Sequence, residues 1–477
     1  MAQGAARAAR SGAGRRSVLR RAALWIGSIA FCSLTLPLFG QGEPREPGAG
    51  ATPHKVYETT SRGGLRYTWV VPAEPAPAGE RALTILLHGT GLDYRWGHAN
   101  HPAGKFRPND VVISVDGTSP AADGSRLFLG EKKDVDAFHE LLVELRERFA
   151  VDRVFLYGHS QGGFFVAYYA GERPEDIAGV VAHASGAWSG SKTTGGVRDL
   201  PIVFLHGTAD PVVPYTNSTG TRDHYRKQGL DLARLRRLPG YNHWPNSVRA
   251  GECLDWCAGM VAKDAAYAFS RAEELLRPKG KDSVEYQTAV DFAGAASILE
   301  RFTAKSPRKL EKIPKAAASA AKALLAKVDA AGKEHRQKIQ KGLRGGLRLD
   351  GGAWLGHLLA VREDFRGVPS IEELCAALSF DERAAEHAAA ARRALAPWYD
   401  DRPPAAIYSA AVEEIPNAFL SDAWPVGYAE KLVEWHAAAE ANAIPAKDRA
   451  RFAAVEAWRR GLEEGEKAYR ELWLGWK

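Results

Sequence analysis

A serine between two glycines, then an aspartate, then a histidine, in that order, are the residues of this 477-residue chain best suited to covalent chemistry. The serine is Ser160, in Val154-Phe155-Leu156-Tyr157-Gly158-His159-Ser160-Gln161-Gly162-Gly163. A Gly-x-Ser-x-Gly placed where an apolar run gives way to a helical one is the pattern of a nucleophile elbow. Glycines stand where the tight turn would crowd a side chain, and the hydroxyl is lifted clear of the sheet. The bare motif arises by chance about 0.2 times in a chain of this composition, so its placement carries the argument. Asp210 follows in Gly207-Thr208-Ala209-Asp210-Pro211, just past the apolar run Pro201–His206. His243 comes later still, in Pro239-Gly240-Tyr241-Asn242-His243-Trp244-Pro245. Serine is a weak nucleophile until a base takes its proton; imidazole titrates in the right range, and a carboxylate fixes its tautomer. Taken singly, Asp210 reads equally as a turn former and His243 as a loop histidine. Their order, each at a strand end, joins them to Ser160.

A tetrahedral oxyanion needs two pre-aimed N–H donors. One is the backbone of Gln161, at the head of the helix after the serine. The other falls in Leu87-His88-Gly89-Thr90-Gly91, where the backbone of Thr90 is the choice and Gly91 the alternative. Tyr94, Trp96, Trp188 and Trp244 lie near these motifs and are candidate pocket residues. Core packing is the plain alternative for each, and Trp244 ranks first for adjacency to His243. His88 and His206 read as packing residues, and Asp116 as a loop cap at a strand end.

The elements that must position these groups are legible as short apolar runs separated by turns. Val56–Ser61 and Leu65–Val71 flank Arg62-Gly63-Gly64, a hairpin signal. Strands are expected at Ala82–Leu87, Val111–Val115, Arg153–Tyr157, Gly179–His183, Pro201–His206 and Ala233–Leu238. Asp134–Phe149 carries a helical stripe of Val135, Phe138, Leu141, Leu142, Leu145 and Phe149. Continuous apolar strands alternating with helices predict a mostly parallel sheet with helices on both faces. After about residue 262 the strands stop, and an Ala/Glu/Lys/Leu/Arg-rich helical composition without a fixed repeat predicts an all-α C-terminal domain over 263–477.

The formal charge of +7 misleads, because residues 1–40 hold six arginines and no acid, leaving about +1 on the rest. That balance gives no electrostatic case for nucleic acid. Those 40 residues, with their apolar stretch Ala22–Phe39, read as an export signal ending near Gly40-Gln41-Gly42. Arg15-Arg16-Ser17-Val18-Leu19-Arg20 resembles a twin-arginine motif, so a periplasmic or secreted location is expected. Membrane attachment follows only if the signal stays uncleaved. Residues 41–54 are a Pro/Gly linker. Cys253 and Cys257, four apart, are spaced for one buried helix face rather than for a disulfide, and further metal ligands are lacking. Residues 301–348 carry 14 Lys/Arg against three acids. With no aromatics interleaved, that run reads as a solvated helix face.

The four segments Leu86-Leu-His-Gly-Thr-Gly91, Gly158-His-Ser-Gln-Gly-Gly163, His206-Gly-Thr-Ala-Asp-Pro-Val-Val-Pro214 and Gly240-Tyr-Asn-His-Trp-Pro245 together resemble the esterase branch of the α/β-hydrolase superfamily. In style they are nearest the polyhydroxybutyrate-depolymerase-like, feruloyl-esterase and acetyl-esterase proteins. The resemblance covers residues 55–262 and implies a catalytic domain with Ser160, Asp210 and His243 as triad and Gln161 and Thr90 as backbone donors. It implies ester hydrolysis through an acyl-enzyme, without metal or other cofactor. The short segments between motifs leave little room for a lid, which suits a bulky or polymer- or glycan-linked ester as well as a small one. A serine peptidase of the same fold shares these motifs. A scaffold role for the helical half on an idle hydrolase is the rival from another class. Oligomeric state is not encoded in any pattern found.

Overall fold

A computed structural model of the chain describes residues 51–186, 199–207, 210–238, 241–277, 290–303, 310 and 312–344. The segment expected to direct export, the expected linker up to residue 50, Trp188 and residues 345–477 lie outside the described residues.

The hairpin forms where expected. β1 (Tyr57–Thr60) pairs antiparallel with β2 (Arg66–Val70), Tyr57 opposite Trp69. Their rings stack 4.4 Å apart. β2 also runs antiparallel to β4 (Val111–Val115), and from there every neighbour is parallel: β4 with β3 (Ala82–Leu87), β3 with β7 (Arg153–His159), then β8 (Gly179–His183), β9 (Ile202–Gly207) and β10 (Ala233–Leu238). The order across the sheet is β1-β2-β4-β3-β7-β8-β9-β10. β3, β7, β8 and β9 are buried at every position, which is why they read as unbroken apolar runs. A small ribbon of β5 (Ser119–Pro120) and β6 (Arg126–Leu127) lies apart.

Helices cover the sheet on both sides. α1 (Trp96–Asn100), α2 (Lys132–Phe149), α3 (Gln161–Glu172), α4 (Tyr215–Lys227) and α5 (Ser247–Val261) follow in chain order. α2 buries the predicted stripe, and Phe138 meets Phe165 and Tyr169 of α3 at ring-centroid distances of 5.4 and 5.1 Å. Along β7, Phe155 lies toward Cys257 of α5, while Gly158, of opposite parity, lies toward Gly162 of α3. Alternate residues of a strand face opposite ways, so α3 and α5 clothe opposite faces. Cys253 and Cys257 are free and buried on α5; burial pushes the Cys253 thiol up to about 12.

Beyond α5 the chain adds α6 (Ala265–Leu276), α7 (Phe292–Glu300) and α8 (Lys315–Arg344). Asn246, Asp264 and Asp291 cap α5, α6 and α7, each side chain accepting from the N–H three residues on and so satisfying an otherwise orphan donor. Arg301, past α7, donates to the carbonyls of Gly259 and Ala262 at 2.8 and 3.1 Å, closing the end of α5. Asp291 is buried and takes Arg234 of β10 at 2.9 Å. The apolar side chains of α6, α7 and α8 join the same core cluster as the sheet. On α8 the buried positions are Ala317, Ala321 and Val328, while Lys315, Lys322, Lys327 and Lys333 are exposed. The described lysines of α8 therefore lie on a solvated helix face, while Arg301, at the head of the basic run, is buried.

Candidate active site

Ser160 stands between β7 and α3 with φ +53° and ψ −118°, a conformation that costs a side-chain-bearing residue about 1–3 kcal/mol and persists only where its surroundings impose it. Here they do. The Ser160 N–H donates to the carbonyl of His183 on β8 at 2.9 Å, and the Gly162 N–H to that of His88 at 3.1 Å. A Cβ on Gly158 would fall 2.1 Å from the Gly162 carbonyl oxygen, and one on Gly162 would fall 2.5 Å from that of Leu87. No side chain fits at either place, which is the physical content of the motif's two glycines. Ser160 itself is partly exposed at the end of a fully buried strand.

The loop after β3 lies against this turn. The Leu92 N–H donates to Gly89 at 3.3 Å and Gly91 has φ +75°, a tight turn whose third residue favours glycine. Thr90 is its exposed second residue. The ideal Cβ position of Gly89 lies 3.1 Å from Cβ of Ser160. Gln161 is the first residue of α3, so its N–H has no acceptor within the helix. The Gln161 side chain points elsewhere, its Oε1 accepting from the Phe128 N–H at 3.3 Å.

Asp210 and His243, 33 residues apart in sequence, are brought together: His243 Nδ1 lies 2.7 Å from Asp210 Oδ2. With Nδ1 so engaged, Nε2 is the nitrogen left for a hydroxyl. The other oxygen of Asp210 accepts the N–H groups of Val212 and Val213 at 2.8 and 2.9 Å. Burial alone would raise the Asp210 carboxyl, yet hydrogen bonds from His206, His243 and Val213 pull it well below the usual carboxylate range. The aspartate is therefore held as a charge beside the imidazole, the arrangement that stabilises an imidazolium.

Two histidines gain a place that sequence reasoning did not give them. His206, read as a packing residue, is indeed wholly buried, but its Nε2 lies 3.2 Å from Asp210 Oδ2 and its Nδ1 2.7 Å from Ser218 Oγ. His159, between Gly158 and Ser160, sets its Nε2 2.6 Å from the His243 carbonyl. Its ring centroid is 4.9 Å from that of His243, 5.4 Å from His183 and 5.5 Å from Trp96. Burial, with His243 and His206 nearby, holds the His159 imidazole down to about 4. The only sequence signal for either was adjacency to a motif residue.

The aromatics divide. Tyr94 is corrected from pocket to core: it is wholly buried, with its hydroxyl on Glu58 and its ring between the guanidiniums of Arg66 and Arg95. Trp96 is likewise corrected to core, at 7% exposure and stacked on Tyr157 and His159, so it backs the site from beneath. Trp244 is 68% exposed beside His243, open to a ligand. Trp188 lies outside the described residues. His88 is buried against the Gly89 carbonyl, and Asp116 is buried against Arg66, so neither faces the serine's hydroxyl as a reactant. Among the described residues no group of His, Cys, Asp and Glu is arranged to hold a metal ion.

Residues 130–248 match the phospholipase/carboxylesterase family. Acyl-protein thioesterase 1 of Neurospora crassa is 28% identical over 139 residues, 28% of this chain and 56% of that protein. A bifunctional acetylxylan esterase/xylanase of Neocallimastix patriciarum is 27% identical over 199 residues, 40% of this chain and 28% of that protein. The chain thus spans about half the length, or less, of these curated relatives. A carboxylesterase from Mesorhizobium loti superposes with a TM-score of 0.36 at 18% identity, covering 43% of this chain and 99% of that one. Its strand order and its elbow are those of the α/β-hydrolase fold, and residues 130–248 are similar to the phospholipase/carboxylesterase family.

Proposed function

We propose that the protein is an exported serine hydrolase that cleaves carboxylic esters through Ser160, His243 and Asp210. The observation that carries this is the Asp210–His243 pair at 2.7 Å, set against the residue that precedes the elbow serine. In the proposed reaction His243 Nε2 takes the Ser160 proton as Oγ attacks the ester carbonyl. The oxyanion is received by the N–H groups of Gln161 and Thr90. Collapse expels the alcohol with the proton from His243, leaving an acyl-serine, and water repeats the sequence to release the acid. No metal or other cofactor enters any step. Export rests on the sequence of residues 1–40 alone.

Val212, Tyr241 and Trp244, on the loops of Asp210 and His243, and Val248, at the start of α5, are exposed at 64, 38, 68 and 46%, and we read these apolar side chains, close in sequence to the acid and base, as a rim of the site. Such a rim supports an ester whose acyl or alcohol part is bulky or attached to a polymer or glycan. The test is Ser160→Ala, which should abolish both ester turnover and fluorophosphonate labelling while thermal unfolding stays cooperative. Labelling that survives the substitution would overturn the assignment. A panel of short p-nitrophenyl esters, polymer- and glycan-linked esters, an acyl thioester and aminoacyl anilides then reads the leaving group. Preference for the anilides would make it a peptidase, and short esters turned over far faster than any polymeric one would remove the role of the rim.

A further inference from the structure

We propose that His159 is a positioning residue of this site: its Nε2–H ties the His243 backbone carbonyl to the elbow strand and so fixes the base beside Ser160. The inference rests on Ser160 and His243 being nucleophile and base. The partner of Nε2 is a carbonyl oxygen 2.6 Å away, which only accepts, so Nε2 carries the proton and donates. Nδ1 is then bare, and it has no hydrogen-bond partner among the described residues. It lies instead toward the oxyanion-side loop, 3.4 Å from the ideal Cβ position of Gly89. One ring thereby touches all three parts of the site. It is chain neighbour to the serine, donor to the base's main chain, and packing surface for the loop of Thr90, with Trp96 and His183 closing it in.

The base needs this. His243 sits on a loop whose neighbours Tyr241, Asn242 and Trp244 are exposed, and among the described residues its imidazole is hydrogen-bonded to Asp210. A bond to Nδ1 sets the tautomer and one end of the ring, and the loop backbone before it is held by the Tyr241 N–H on the Leu238 carbonyl and by close packing of Tyr241 and Asn242 on Gly207, short of His243 itself. The bond from His159 pins that backbone from the opposite side. Positioning matters steeply, because a misplacement near 1 Å costs on the order of 10²-fold in rate.

The full-length protein and the variants His159→Gln, His159→Asn and His159→Phe are compared on p-nitrophenyl acetate, with fluorophosphonate labelling rates alongside. Glutamine places an amide N–H about as far from Cβ as Nε2; asparagine does not reach, and phenylalanine keeps the ring without the donor. The expected result is that kcat falls about tenfold or more for Asn and Phe with KM little changed, and that Gln recovers most of it. Equal losses in Gln and Asn, or a Phe variant with native kcat, would overturn the proposal. If Phe fails to fold, the Gln–Asn contrast decides. Failure of the underlying reading looks different: the native protein is then neither labelled nor active, or its label stays in Ser160→Ala.

Discussion

Two histidines reach one carboxylate oxygen, His243 at 2.7 Å and His206 at 3.2 Å from Asp210 Oδ2. An amide in its place would keep one acceptor but lose the charge, and would turn its N–H groups either toward both imidazoles or toward the N–H groups of Val212 and Val213. Asp210→Asn is therefore expected to lower kcat by about 10³-fold or more with a smaller change in KM, measured on a soluble ester; a loss of under tenfold would remove Asp210 from the mechanism. Ser160, Asp210 and His243 stand out as candidates because each sits in its own glycine- or proline-marked loop just past an apolar run. His206 and His159 do not. His159 reaches His243 across 84 residues, which no local spacing encodes, while His206 stands only four residues before Asp210 and its burial in the strand end hides that contact among packing residues. Tyr94 and Trp96 were misread for the related reason that nearness to a motif does not say which way a side chain faces.

Among the elements, the buried strands and α2 were plain from periodicity, since four central strands are buried along their whole length. α4 escaped notice. Its residues Tyr-Thr-Asn-Ser-Thr-Gly-Thr-Arg-Asp-His-Tyr-Arg-Lys combine threonines and a glycine with no apolar stripe, and helix propensity there gives way to packing against β9 and β10. The two-residue strands β5 and β6 carry too few positions for any period. Beyond the packing of its apolar face, the start of α7 is tied to the sheet through Asp291. Asp291 caps the helix through the Gly294 N–H at 2.7 Å and pairs with Arg234 of β10. Burial would raise its carboxyl, but Arg234 and Arg236 hold it below the usual range. Asp291→Asn, which keeps a cap acceptor, is expected to lose less stability than Asp291→Ala, which loses cap and charge together. Ala should cost about 3–5 kcal/mol by urea unfolding. Equal losses would assign the whole effect to the charge.

At the scale of the molecule, a group of imidazoles is buried behind the site. Burial holds His101 down to about 3 and His159 to about 4, and pushes His183 well below its ordinary value. The unfolded chain takes up protons on these rings from about pH 6.5 downward, while the folded protein leaves them neutral. Stability held by the three is therefore full above about pH 6.5 and drains as the pH falls toward about 4. Asp210, whose pKa is depressed, adds its own loss only below about pH 4. The urea midpoint should drop markedly between about pH 7.5 and about pH 5. An unchanged midpoint would mean that these rings are hydrated. The fold class was legible throughout 55–262 because apolar strands and helices alternate there. The manner in which the chain continues past residue 262 was not: α6, α7 and α8 read as generic Ala- and Lys-rich helices, and nothing in that composition tells that their apolar faces join the sheet's own core.

β10 closes one side of the described sheet, and an outermost strand presents a row of unpaired N–H and C=O groups on which another chain can template. This one reads Ala-Arg-Leu-Arg-Arg-Leu, three cations in six residues, with Arg234 and Arg236 drawn toward the buried Asp291. A second copy approaching in register would set cation beside cation on three of its six rungs. The arginines that help bind the helical segment to the sheet thus also guard the protein against self-association into fibres while it refolds.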